Sequence, residues 1–153
     1  MVVNSIIKIK TIKTVYKKVS ILIVICAFVL LLACDSKNKL DYYSQKDNYV
    51  NATGTVKYIH YNEHYDALYF DFSDLNPKFD DSCFKIVGNN LSIVIDNGID
   101  QKIGVGSQVE FITAPKYFGD GYVMPIVSIS VEGEVLLKFE EGFSNLLKWL
   151  EEK

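Results

Sequence analysis

The chain has 153 residues, of which 49% are hydrophobic and none is arginine, so a bidentate arginine clamp for phosphate or carboxylate is excluded. Residues 1–33 hold five lysines and no acidic residue, whereas residues 34–153 hold 11 lysines and 19 acidic residues, a net charge of −8. Such a charge opposes contact with phosphate backbones and therefore disfavours nucleic acid as a partner.

The N-terminus has the three parts of a secretory signal peptide. A lysine-bearing stretch precedes the apolar run 19–33, in which only Ser20 is polar, and the chain becomes polar directly after Cys34. This run is short for crossing a bilayer, which takes about 20 apolar residues. We therefore expect residues 1–33 to be a cleaved signal peptide. The alternative is an uncleaved membrane anchor, lengthened by residues 12–16.

Leu31, Leu32, Ala33 and Cys34 resemble the lipobox of bacterial lipoproteins, although Leu32 is larger than the residue usually found there. The resemblance covers only the first 34 residues. It implies that the Cys34 thiol receives a diacylglyceryl group, that the chain is cut before Cys34, and that the protein is held outside the cytoplasm on the cell membrane by lipid. Two or more acyl chains suffice for stable anchoring.

Cysteine usage constrains the mature protein. On this interpretation Cys26 leaves with the signal peptide and Cys34 is lipidated, so only Cys83 would remain and no internal disulfide could form. We expect Cys83 to be a buried, unreactive thiol. Residues 34–47 are polar and without sustained periodicity, and they are interpreted as a lipidated tether. The folded domain is expected to comprise residues 48–153.

Alternating apolar and polar residues predict half-buried β-strands in the first two thirds of this domain. The predicted strands are 50–60, 67–73, 84–87, 91–96, 107–114 and 122–131. The strand 84–87 is expected to pair with 91–95 across a tight turn at residues 88–90. The buried residues are expected to include Phe70, Phe72, Ile93, Phe111, Val127 and Ile129, with Leu146 and Leu147 closing one side.

The C-terminal segment has helical spacing instead. Phe139, Phe143, Leu146, Leu147 and Leu150 recur on one face and predict an amphipathic helix. Because glycine is unfavourable inside a helix, the helix is expected to start just after Gly142. Trp149 lies off this apolar face and is expected to cover the same contact between the helix and the sheet.

Five or six strands followed by a helix predict a small OB-like barrel, and Gly54 in the first strand suits the sharp bend of a barrel corner. Residues 97–106 leave no room for the helix that OB-folds carry between strands 3 and 4. The alternative is a small β-sandwich, or an open sheet capped by the helix. Residues 115–125 also resemble a segment of uncharacterised lipoproteins of low-GC bacteria, and this resemblance implies no function.

Aromatic residues in predicted loops indicate the candidate binding site. In an OB-fold the first hairpin turn and the loop between strands 4 and 5 border the binding face. The candidate residues are Tyr61, His64, Tyr65, Tyr117, Phe118 and Tyr122. They favour a non-enzymatic, envelope-associated module that binds a cell-wall saccharide or peptide and needs no cofactor. The competing interpretation is that these tyrosines merely cover the barrel with their hydroxyls in water.

The alternative function is a metal-assisted hydrolase. His60 and His64, the two histidines of the chain, flank Glu63 and precede Asp66, and such a set could hold a divalent metal. The same residues also suit a pH-sensitive contact or an ordinary polar hairpin turn. No serine-nucleophile, Cys-x-x-Cys or phosphate-loop motif is present in the sequence.

Overall fold

The computed structural model describes residues 39–80, 83–116 and 123–152. The chain divides into two units, Met1–Asp41 and Tyr42–Lys153. Residues 39–41, the described part of the first unit, are helical. The predicted signal peptide and lipobox lie outside the described residues. In the described part of the chain, no helix combines the length and apolarity needed to span a membrane.

The second unit is mainly β, as predicted, and its strands form a closed ring. The strands are β1 (Val50–Asn62), β2 (Ala67–Asn76), β3 (Cys83–Val87), β4 (Gln108–Thr113), β5 (Met124–Val131) and β6 (Glu134–Leu137). They form one sheet in the order β3–β2–β1–β4–β5–β6, with antiparallel neighbours. A short parallel pairing of Phe84 and Lys85 with Met124 and Pro125 joins β3 to β5 and closes the ring. This connectivity is that of an OB-like barrel, and the strand β6 is an addition that the sequence pattern did not predict.

Inward-facing apolar side chains fill the barrel. The rings of Phe72 and Phe111 stack with centroids 4.7 Å apart, and Phe84 meets Phe111 edge to face at 5.0 Å. The predicted burial of Phe70, Phe72, Phe111, Val127, Ile129 and Leu146 is confirmed. Ile93 and Leu147 are only half-buried, so the prediction is wrong for these two.

Two helices between β3 and β4 correct the sequence interpretation. Residues predicted as strand 91–96 form the helix α1 (Asn89–Asp96), which is followed by the short helix α2 (Ile99–Lys102). Leu91, Val94 and Ile99 of these helices belong to the same buried cluster as the barrel interior, so α1 and α2 close one end of the barrel. The helix that OB-folds carry at this position is therefore present, and the expectation that it had no room is wrong. Gly88, with φ +58°, ends β3 and precedes α1 instead of forming a hairpin turn.

The C-terminal helix α3 (Phe139–Glu151) packs on the outside of the barrel. It begins at Phe139, so the expectation that it starts after Gly142 is wrong. Glycine stands inside the helix because α3 packs closely on β5 at this position. A Cβ atom at position 142 would overlap the backbone carbonyl of Val127 on β5. The Gly142 carbonyl accepts a hydrogen bond of 2.8 Å from the buried Asn90 amide, and Asn145 Nδ2 donates to Asn90 Oδ1 at 3.0 Å. These amide contacts fix α3 to α1.

A second apolar cluster lies between α3 and the outer surface of the sheet. It consists of Tyr43, Ala67, Val87, Ala114, Val127 and Leu146. Tyr43 is fully buried there, and its hydroxyl donates to the Lys116 carbonyl at 2.9 Å. The folded unit thus includes Tyr42 and Tyr43, which the sequence interpretation assigns to the tether. The reason is that single aromatic residues can dock without producing any periodic pattern. Trp149 borders the same cluster and packs against Gly88.

Candidate functional site: an aromatic surface on strands β1 to β3

The outward side of β1, β2 and β3 carries aromatic and charged side chains next to one another. Register places His60 opposite Tyr69 and Tyr69 opposite Lys85, and it places Tyr58 opposite Asp71 in the neighbouring row. Directly opposite residues share one side of a sheet and lie within contact distance. We call this surface, formed by Tyr58, His60, Tyr69, Asp71, Cys83 and Lys85, the aromatic face.

A β-bulge in β1 brings Tyr58 onto this face. Val56 pairs with Phe72 and points into the barrel, so simple alternation would also turn Tyr58 inward. The register shifts between Val56 and Tyr58, which reverses the side on which the following residues lie. Tyr58 is 54% exposed as a result, and its ring centroid lies 6.0 Å from that of His60.

Lys85 and Tyr69 form the half-buried centre of the aromatic face. The Lys85 ammonium lies 5.9 Å from the centroid of the Tyr69 ring, within reach of a cation–π interaction. Burial lowers the pKa of Lys85, while the neighbouring Cys83 acts in the opposite direction. Burial also raises the pKa of Tyr69. Asp71 pairs with Lys57 at 3.7 Å, so the face combines both charge signs with aromatic rings.

The turn between β1 and β2 holds two more rings at one end of the face. The side-chain oxygen of Asn62 accepts hydrogen bonds from the backbone N–H groups of His64 at 3.0 Å and Tyr65 at 3.3 Å. Asp66 completes the reversal with φ +45°. The rings of His64 and Tyr65 meet edge to face at 4.7 Å, and Tyr65 is 63% exposed. A short hydrogen-bonded turn thus presents both rings to solvent.

The predicted site residues divide into three groups. His64 and Tyr65 lie in the turn beside the aromatic face. Tyr61 pairs with Leu68, a residue of the barrel interior, so it lies on the other side of the hairpin, where its hydroxyl donates to Asp66 at 2.9 Å. The hydrogen bond to Asp66 raises the pKa of Tyr61. Tyr117, Phe118 and Tyr122 lie outside the described residues, so their approach to the β1–β2 turn remains a prediction.

Sequence reasoning missed Tyr58, Tyr69 and Lys85 as candidate site residues. The outward position of Tyr69 was readable from alternation in the second strand, with Leu68 and Phe70 turned inward. The position of Tyr58 was not readable, because a bulge leaves no pattern in a single sequence. Lys85 joins the site only through the register between β2 and β3.

The histidines show no metal-binding arrangement. Across residues 39–80, 83–116 and 123–152, no group of three or more His, Cys, Asp or Glu side chains is placed so that it could hold a metal ion. His60 lies beside Tyr58 on the aromatic face, whereas His64 lies against Tyr65 in the turn. No observation therefore favours the metal-assisted hydrolase.

Two grooves formed by residues that the structure describes lie apart from the aromatic face. These adjoining grooves of about 420 and 410 Å³ cross the outer sides of β1, β4 and β5. They share Thr53 and Glu110; Ser128 and Ser130 line the first groove, whereas longer side chains such as Lys102 and Glu132 line the second. The exposed rings of Tyr58 and His60 are instead arranged along β1, which suits a flat or extended ligand.

Comparison with known proteins gives no relative: no family model, curated protein or solved structure matches the chain.

Proposed function

We propose that this chain is a non-enzymatic lipoprotein, anchored outside the cytoplasm through a lipidated Cys34, whose barrel binds a saccharide or peptide of the cell envelope. The ligand site is the aromatic face together with His64 and Tyr65 of the adjoining turn. The observation that carries the binding proposal is the exposed ring of Tyr58 on the outward side of β1, together with the exposed ring of Tyr65 in the adjoining turn. OB-folds use the corresponding surface, strands 2 and 3 with the first hairpin loop, to bind oligomeric ligands.

The chemistry of the face supports this ligand class. Exposed tyrosine rings offer flat apolar area with a polar hydroxyl, which is typical of binding surfaces for partly polar ligands. The charge of −8 on residues 34–153 opposes nucleic acid, the other common ligand of this fold. The anchor rests on the sequence alone, that is, on the apolar run 19–33 followed at once by Cys34.

Sedimentation with purified cell-wall sacculi tests the binding proposal. We expect the detergent-solubilised protein to sediment with sacculi, and Tyr58→Ala and Tyr65→Ala each to weaken this binding about tenfold, the loss expected for an anchor residue worth about 1.4 kcal/mol. Ile95→Ala removes an equally exposed apolar side chain, 51% exposed on α1, and serves as the matched control. Competition with soluble glycan chains or with stem peptides identifies the ligand class. Unchanged sedimentation of both tyrosine variants would contradict the assignment of the site.

A further comparison separates the surface seen in the structure from the site predicted by sequence. Tyr61 is 44% exposed but lies on the opposite side of the hairpin. We expect Tyr61→Ala to bind like the unaltered protein. A loss as large as that of Tyr58→Ala would place the ligand around the tip of the hairpin instead of on the aromatic face.

Mass spectrometry of the membrane-bound protein tests the anchor. We expect the chain to begin at Cys34 with diacylglyceryl on its thiol, and Cys34→Ala to yield unprocessed precursor or released protein. An unmodified Cys34 in the membrane fraction would refute the lipoprotein assignment without affecting the binding proposal.

A further inference from the structure

Among the residues that the structure describes, the second half of β1 is paired on one side only. Val50–Thr55 pair with β4, and Val56 continues this side by donating its N–H to the Ser107 carbonyl at 2.9 Å and accepting from the Gly106 N–H at 2.7 Å. Beyond Val56, the backbone of residues 57–62 makes no further hydrogen bond on this side to any residue that the structure describes. The other side of the same segment is paired with β2 up to Asn62. The barrel is thus closed, yet one strand edge extends beyond it.

This edge lacks most of the features that keep strand edges from pairing. In antiparallel strands every second residue directs its N–H and C=O away from the bonded neighbour, so these groups are available to an added strand. Lys57 and the bulge beside it disfavour pairing at the start of the edge, but residues 58–62 contain no proline and no Lys, Asp or Glu. Tyr58, His60 and Tyr61 are exposed along it.

We propose that this edge pairs with the same edge of a second copy of the chain. An antiparallel pair centred on His60 is self-complementary, as an isologous two-fold contact requires. It places Ile59 opposite the partner's Tyr61 twice, a favourable aliphatic–aromatic pair. It also brings Lys57 towards Glu63 of the partner subunit at both ends, so opposite charges meet. No other antiparallel register centred within residues 58–62 places Ile59 opposite Tyr61 and also Lys57 opposite Glu63.

The dimer goes beyond the proposed ligand binding and does not depend on it. Pairing would extend the sheet to β3–β2–β1 of one copy followed by β1–β2–β3 of the other. Because opposite residues in an antiparallel pair share one side of the sheet, the two aromatic faces would become one continuous surface around paired His60 residues. A stable interface buries at least about 1,200 Å² of surface, and a pair of five-residue strand segments buries less. We therefore expect the dimer to be weak in dilute solution and to form only at high local concentration.

Single-cysteine cross-linking of the full-length protein in membranes tests the register. In a Cys83→Ser background, and with Cys26 removed and the Cys34 thiol blocked by lipid as the proposed function requires, His60→Cys places two thiols directly opposite each other. The Cα atoms would be about 4.5–5.5 Å apart, within disulfide range. Tyr58→Cys leaves its two copies four residues apart, about 13 Å, which is out of range. We expect mild oxidation to produce disulfide dimers at least tenfold faster with His60→Cys than with Tyr58→Cys. The control Val135→Cys, at a 52% exposed position on β6, is expected to match Tyr58→Cys.

Two further variants probe the contact itself. Co-expression of Tyr58→Cys with Asn62→Cys should restore cross-linking, because these positions face each other in the proposed pair. Adding Glu63→Lys to His60→Cys should slow cross-linking, because like charges then meet at both ends. Cross-linking of His60→Cys no faster than that of Val135→Cys would overturn the dimer, and faster cross-linking of Tyr58→Cys than of His60→Cys would overturn its register. Neither outcome bears on sacculus binding by the aromatic face.

Discussion

Replacing Gly142 with alanine has two opposite effects on the free energy of unfolding, a gain in helix propensity and a loss of packing. The structure indicates which of the two is larger. Alanine is favoured over glycine by about 1 kcal/mol inside a helix, so propensity alone predicts a more stable protein. The new Cβ would overlap the Val127 carbonyl oxygen, and it would lie 2.8 Å from the carbonyl carbon and 3.1 Å from a Leu137 methyl group. Neither backbone atom can move aside as a flexible side chain would, so α3 has to shift away from β5.

That shift has two costs. Overpacking a buried contact costs about 1–3 kcal/mol. Displacing Gly142 also weakens its 2.8 Å hydrogen bond from the buried Asn90 amide, and a buried polar group without its partner costs about 1–3 kcal/mol. After the propensity gain is subtracted, we expect Gly142→Ala to lower the free energy of unfolding by about 3 kcal/mol, within a range of about 1–5 kcal/mol.

Urea unfolding of the protein without residues 1–33, and with Cys34→Ser, measures this effect. Trp149, the single tryptophan, lies on α3 against Gly88 and reports the detachment of the helix, while far-UV circular dichroism reports the sheet. Gly104→Ala is the matched control, because a Cβ there would meet nothing within 4 Å, and its effect should stay within about 0.5 kcal/mol. Equal stability of the two variants, or a more stable Gly142→Ala, would show that the helix does not rest on β5 as described.

Phe111→Ala should lower the free energy of unfolding by about 3–5 kcal/mol, because its ring contacts Phe72 and Phe84 in the barrel interior; a loss below about 1 kcal/mol would contradict the strand register. Tyr43→Phe should cost about 1 kcal/mol through loss of its hydrogen bond to Lys116, and an unchanged urea midpoint would count against this docking. Zinc added to the protein and removed by gel filtration should leave no stoichiometric metal on the chain; retention that His60→Ala and His64→Ala both abolish would revive the hydrolase alternative.

Several strands were predictable from sequence because one side of each faces the core. Leu68, Phe70 and Phe72 alternate with more exposed residues, and period two sufficed to identify that strand. Residues 91–96 show the limit of this reasoning, because Leu91, Ile93 and Ile95 alternate as a strand would. In the structure Leu91 and Val94 are buried while Ile95 is 51% exposed, which is helical spacing. The β-branched residues favour a strand locally, and burial against the end of the barrel outweighs that preference.

The candidate site was predictable only in part, because it depends on register. His64 and Tyr65 were identifiable from a turn rich in Asn, Glu and Asp. Tyr58 depends on the bulge beside Val56, and Lys85 depends on which residues of β2 and β3 are paired. Neither the bulge nor the pairing can be read from local composition, because both depend on how the three strands pack together on one core.

The apolar cluster beneath α3 also bears on the order in which the protein can fold. The contacts of this cluster and of α3 join residues far apart in sequence: the Tyr43–Lys116 hydrogen bond spans 73 residues, and the Asn90–Gly142 hydrogen bond between α1 and α3 spans 52. Contacts of such long range form slowly, because a large loop must close before they contribute any stability. A chain that leaves the ribosome or a translocation pore N-terminus first cannot complete this cluster until residues 139–151 have emerged. Until then Ala67, Val87 and Val127 lack the cover of Leu146, and the nascent domain exposes an apolar surface at which a chaperone or a protease would act.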